Sequence, residues 1–145
     1  MYILDTNLYV EAARSDTFRA AMRAFLLRAG PNVLASTVVI HELLVGASTN
    51  AAQEAVERDV AAPFQRFLRC IGTDALVWRE AALITRAIAG KKGHDAKLKC
   101  ASFRHDIHIA ASCRRVGATL ITANRRDFAL IAEVRRLCFV TEFPV

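Results

Sequence analysis

Thr119-Leu120-Ile121-Thr122-Ala123-Asn124-Arg125-Arg126-Asp127-Phe128 decides the fold. Its first four residues form a short β-branched and apolar run. The next six switch to turn-forming and polar types that lead into a short helix. A strand apolar at consecutive positions is buried on both faces, the pattern of a parallel sheet. The chain opens in the same way, with Tyr2-Ile3-Leu4 running into Asp5-Thr6-Asn7. Val33-Leu34-Ala35 before Ser36-Thr37 is a further strand with a helix cap behind it, and Cys70-Ile71-Gly72 and Cys138-Phe139-Val140 are weaker strands.

Helices fill the intervals. Ser15-Asp16 caps one on which Phe18, Met22, Phe25, Leu26 and Ala29 recur at helical spacing, with Arg19 and Arg23 on its outer face, up to Gly30-Pro31. Val38 to Val45 reads as a helix apolar nearly all round, its polar members being His41 and Glu42. Residues 50–69 are helical with a break at Pro63, and Asp74 caps a helix from Ala75 to Ala89 that Gly90 ends. Lys91 to Arg104 reads as a basic, mobile loop, and a helix from Asp106 to Val116 closes at Gly117. The alternation predicts an α/β fold with a parallel sheet covered by helices on both faces.

The 145 residues suit a single domain spanning 1–145. At 54% hydrophobic and 23% charged, the composition supports a real core and excludes disorder. Lys and Arg number 20 against 14 Asp and Glu, a net charge of +6. Sixteen of the twenty basic residues are Arg, which suits a nucleic-acid or acidic-protein partner. The four cysteines form no C-x-x-C pair and read as buried, reduced thiols of a cytoplasmic protein. Asp5 interrupts the apolar start before a signal-peptide core could form, and no segment is suited to spanning a membrane.

In open parallel sheets ligands bind at the carboxyl ends of the strands. Asp5 and Asp127 both follow strands, Asp106 begins a buried stripe with Ile109, Ala110 and Cys113, and Glu42 lies in an apolar helix where a carboxylate is costly unless paired or metal-bound. Asp5, Asp106 and Asp127 also stand where N-caps belong, and an Arg partner would account for Glu42. Four converging carboxylates would raise one another's pKa, so such a cluster makes sense chiefly around a hard cation, Mg²⁺ or Mn²⁺, that activates water for attack on a phosphodiester. Thr6, Asn7, Thr122 and Asn124 are turn residues whose side chains can orient the acids. Lys97, Lys99, Arg104, Arg125 and Arg126 are the candidates for holding the polyanion.

Taken in order, Ile3-Leu4-Asp5-Thr6-Asn7, Ser36 with Val39-Ile40-His41-Glu42-Leu43 and Gly46, Asp106 with Ile109-Ala110-Ala111, and Thr122 to Phe128 resemble the PIN-domain ribonucleases, more narrowly the VapC-type toxins of bacterial toxin–antitoxin pairs. The resemblance covers the whole chain, and the ordered set is far more specific than any one motif. It implies a Rossmann-like three-layer sandwich around a central, mostly parallel five-stranded sheet. It also implies Mg²⁺- or Mn²⁺-dependent endonuclease cleavage of RNA, a homodimer, and inhibition by a small cognate antitoxin. By motif position Asp5, Glu42 and Asp106 are its metal-binding acids and Asp127 the fourth, more peripheral one. Thr6, Thr122 and Asn124 fall where the family has supporting polar residues. His105 departs from the small polar residue common before the third acid. Asp95 competes for that third place, but Ile109-Ala110-Ala111 follows Asp106 at the right spacing.

Other readings fit less well. His94-Asp95 and His105-Asp106 spell the dipeptide of all-helical metal phosphohydrolases, against which the strand at Thr119 to Thr122 argues. His105 and His108 lack further zinc ligands, and a phosphoacceptor receiver domain needs a Lys after a late strand, whereas all lysines fall between 91 and 99. The remaining alternative is a non-catalytic PIN-like module that binds RNA or protein without cutting.

Overall fold

The structure, a computed structural model, describes residues 1–144. Five strands, β1 (Tyr2–Leu4), β2 (Val33–Ser36), β3 (Cys70–Ile71), β4 (Thr119–Ile121) and β5 (Phe139–Val140), form one sheet in the order β3-β2-β1-β4-β5. Every recorded pairing is parallel, with Leu4 opposite Ile121 and Ile3 opposite Leu34. The helices are α1 (Thr6–Arg14), α2 (Asp16–Ala29), α3 (Thr37–Gly46), α4 (Asn50–Val56), α5 (Ala62–Arg66), α6 (Ala75–Ala89), α7 (Asp95–Lys99), α8 (Ala101–Val116) and α9 (Arg125–Val134). This is the expected α/β sandwich.

Successive side chains of a strand point to opposite faces, so each strand feeds two cores. Ile3 and Leu120 join Ile84, Phe103, Ile107 and Phe128 under α6, α8 and α9. Leu4 and Ile121 join Leu8, Met22, Phe25 and Phe64 under α1, α2 and α5. All of these are buried, which explains why the strands read as unbroken apolar runs.

The caps fall where the sequence puts them: Ser15 accepts from Phe18 N–H, Ser36 from Val38 N–H and Asp74 from Val77 N–H. Gly117 ends α8 in the left-handed region at φ +65°, and a Cβ there would meet nothing within 4 Å. Its role is therefore conformational: Gly117→Ala should cost about 1–2 kcal/mol, read as a lower urea midpoint. An unchanged midpoint would refute this.

Several expectations are corrected. The stretch from Lys91 to Arg104 is not a loop throughout, because α7 forms within it and α8 begins at Ala101. Asp106 is consequently no N-cap but lies inside α8, and Asp127 sits in the first turn of α9 behind its cap, Asn124. The irregularity expected at Pro63 is a π turn over Glu57–Ala61, just upstream of the residue that lacks an N–H. The cysteines are free, but only Cys113 is buried, while Cys100 and Cys138 are exposed. Among the described residues no helix is long and apolar enough to cross a membrane.

Candidate active site

β1 and β4 are neighbours from which the chain departs in opposite directions, to β2 on one side and β5 on the other. The crevice beyond their carboxyl ends is the switch point at which open α/β sheets bind ligands. Asp5 leaves β1 into it and Thr122 leaves β4 beside it, the two tied by a 2.6 Å bond from the Thr122 hydroxyl to Asp5 Oδ2. Asn7 Nδ2 donates to the same carboxylate oxygen at 2.6 Å, and Thr6 N–H donates to Oδ1 at 2.8 Å. Asp5 does cap a helix, yet its carboxylate is also held in one orientation from three directions.

The Thr122 hydroxyl also accepts from Asn124 N–H at 2.9 Å and from Asn7 Nδ2 at 3.2 Å. The Asn124 amide donates to Asp106 Oδ2 at 3.1 Å and to Asp127 Oδ2 at 3.2 Å, joining the last two acids. Glu42 comes from α3 and is not matched with an Arg. It accepts from the Thr6 hydroxyl at 2.5 Å and from His105 Nδ1 at 2.9 Å. Asp127 pairs with Lys97, whose ammonium donates to Oδ1.

The electrostatics fit this proximity. Burial, followed by the negative charges of Asp5, Asp127 and Glu42, pushes the Asp106 carboxyl up to about 8, with Lys97 pulling the other way. Burial also raises Asp5, against the hydrogen bonds from Thr122 and Thr6, and Glu42 adds to the rise. Among the described residues neither Asp5 nor Asp106 has a cationic side-chain partner. Burial thus disfavours the charged form of both acids, and no cationic side chain restores it.

Among the described residues no three His, Cys, Asp or Glu side chains form a ready-made metal cage. Their oxygens are instead turned to the threonine, asparagine, histidine and lysine donors just described. The donor set still suits a hard divalent cation, being carboxylate oxygen around two uncompensated buried acids.

All four expected acids and the supporting Thr6, Thr122 and Asn124 therefore meet in one crevice. The basic residues divide. Lys99, Arg125 and Arg126 are exposed, Arg104 is spent on the carbonyls of Leu98 and Lys99, and Lys97 turns inward onto Asp127. His105 and Lys97 were not foreseen as partners of the acids. His105 is 63 positions from Glu42 in the chain, and local spacing carries no signal for such a pair.

A family model described as the PIN domain matches residues 2–134. Ribonuclease VapC19 from Mycobacterium tuberculosis is 30% identical over 139 residues, which cover 93% of this chain and 98% of the relative. Among solved structures, DNA-bound VapBC from Salmonella typhimurium aligns with a TM-score of 0.72 at 19% identity, with 96% of each chain covered. FitAcB from Neisseria gonorrhoeae aligns with a TM-score of 0.69 at 19% identity, with 97% of each covered. At such identities the two structures speak for the fold.

Proposed function

The chain belongs to the PIN-domain family as a VapC-type member, and on that premise we propose that it is a Mg²⁺- or Mn²⁺-dependent endoribonuclease, the toxin of a toxin–antitoxin pair. The observation that carries this reading is the convergence of Asp5, Glu42, Asp106 and Asp127 at the sheet's switch point, with Asp5 and Asp106 buried and uncompensated. A non-catalytic binding module has no use for buried acids whose charged forms the fold leaves unpaired.

Asp5, Asp106 and Glu42 would hold the cation, with Asp127 at its margin. When bound, the ion would supply Lewis-acid polarisation of the scissile phosphate and activation of the attacking water. Thr122 and Asn7 fix the Asp5 carboxylate, Asn124 sets Asp106 and Asp127 in register, and Thr6 and His105 aim Glu42. The exposed Lys99, Arg125 and Arg126 are placed to take the RNA backbone. Thr122→Val keeps the side chain's shape but removes the hydroxyl, and should weaken Mn²⁺ binding roughly 10–100-fold. Unaltered affinity would reduce that hydroxyl to a structural bond.

The similar solved structures are of DNA-bound VapBC and of FitAcB. Here an apolar groove of about 480 Å³, lined by Tyr9, Val10, Leu43 and Val56, runs up to Thr6 and Glu42. It supports a small cognate antitoxin whose apolar segment lies against the site. Leu76 and Leu83, 51% and 37% exposed and two turns apart on one face of α6, support a homodimer.

The reading is tested by incubating the protein with a pool of structured RNAs in Mg²⁺ or Mn²⁺ and mapping the ends. Discrete cuts that vanish with a chelator are expected. Intact RNA in both samples would favour the binding module.

A further inference from the structure

We propose that Lys97 is a built-in cation of the acidic cluster, holding the place beside Asp127 so that each chain takes one divalent ion and not two. This rests on the cation-dependent reading above. Of the basic segment between 91 and 104, Lys97 alone turns into the crevice: Lys91 pairs with Glu133, Arg104 bonds backbone carbonyls, and Lys92 and Lys99 are exposed. Its side chain is 24% exposed, and its ammonium lies 5.0 Å from the ring centroid of Phe103, itself 1% exposed. The aromatic face and the carboxylate together fix the charge in position.

Both oxygens of Asp127 are thereby committed, Oδ1 to Lys97 and Oδ2 to the Asn124 amide. A second divalent ion at Asp127 would have to displace the ammonium or sit against a like charge in a partly buried setting. Asp106 differs. Its Oδ2 accepts from Asn124, its Oδ1 accepts no hydrogen bond among the described residues, and it has no salt-bridge partner. The Asn124 amide thus links an Asp127 side already paired with the Lys97 ammonium to an Asp5/Asp106 side whose hydrogen-bond donors are all neutral. An ammonium has three donors, of which Asp127 takes one. The others are free for a phosphate oxygen of the RNA.

Calorimetric titration of the metal-free full chain with Mn²⁺, without RNA, tests this. We expect one ion per chain in the parent and in Lys97→Arg, and two in Lys97→Met, with circular dichroism confirming that each variant is folded. Two ions in the parent, or one in folded Lys97→Met, would overturn the inference while leaving the cation-dependent reading standing. No binding by the parent, with Asp5→Asn giving the same flat trace, would overturn both.

Discussion

Asp5→Asn loses RNA cleavage by roughly 10³-fold or more, the rate equivalent of the several kcal/mol a bound cation supplies, while the protein still folds. Asn is nearly isosteric with Asp, and its carbonyl can still accept from Thr6 N–H, the 2.8 Å bond that caps α1. The other oxygen now becomes an amide facing Thr122 and Asn7. The Thr122 hydroxyl already accepts from Asn124 N–H and Asn7 Nδ2, and the Asn7 amide is held by the Ala123 N–H on its carbonyl, so both hydrogen bonds to that oxygen, ~2 kcal/mol, are lost. Removing a carboxylate that burial destabilises offsets that cost. The expected result is a melting temperature near the parent's with cleavage at background. Parent-like cleavage by a folded Asp5→Asn protein would remove Asp5 from the catalytic set.

Asp106→Asn should stabilise the metal-free chain, and more so at higher pH. The folded Asp106 holds its proton up to about pH 8, while the unfolded carboxyl loses it near 4. Between those values the folded state binds more protons, so its stability falls as pH rises, and the penalty is complete above 8. Asn carries no such penalty. The gain in melting temperature should be near zero at pH 4 and about 5–10 °C at pH 8, corresponding to a few kcal/mol in a chain of this size. Millimolar Mg²⁺ should raise the parent's melting temperature and leave the variant's unchanged, since the ion binds the folded state through the charge now missing. A variant less stable than the parent at pH 8 without metal would show that Asp106 is compensated in the fold.

Why the sheet was legible and the Lys97 contact was not has a physical basis. Ile3 and Leu4 in β1, and Leu120 and Ile121 in β4, are buried on opposite faces of the sheet, so the strands are apolar at consecutive positions and announce themselves. Ser15, Ser36 and Asp74 mark helix starts because an orphan N–H needs an acceptor nearby in the chain. The start of α8 at Ala101 was missed because Cys100, which precedes it, supplies no side-chain cap, while Asp106, six residues further on, looks like one. What buries Asp106 is its place on the stripe with Ile109, Ala110 and Cys113, a spacing that was visible and correctly put it facing inward. The partners of the acids followed a different rule. Asn7 and Thr6 adjoin Asp5 and could be weighed from the sequence, but His105 on Glu42 and Lys97 on Asp127 join separate elements, and only the fold brings them together.

The claim on which everything else depends is that these carboxylates hold a divalent cation. Anomalous diffraction from a crystal soaked in Mn²⁺ addresses it without reference to any RNA. A strong peak is expected in the crevice between Asp5 and Asp106, about 2.0–2.2 Å from their oxygens and absent in Asp5→Asn crystals. Saturating Mn²⁺ with no peak there, or a peak bound only by residues outside Asp5, Glu42, Asp106 and Asp127, would contradict it.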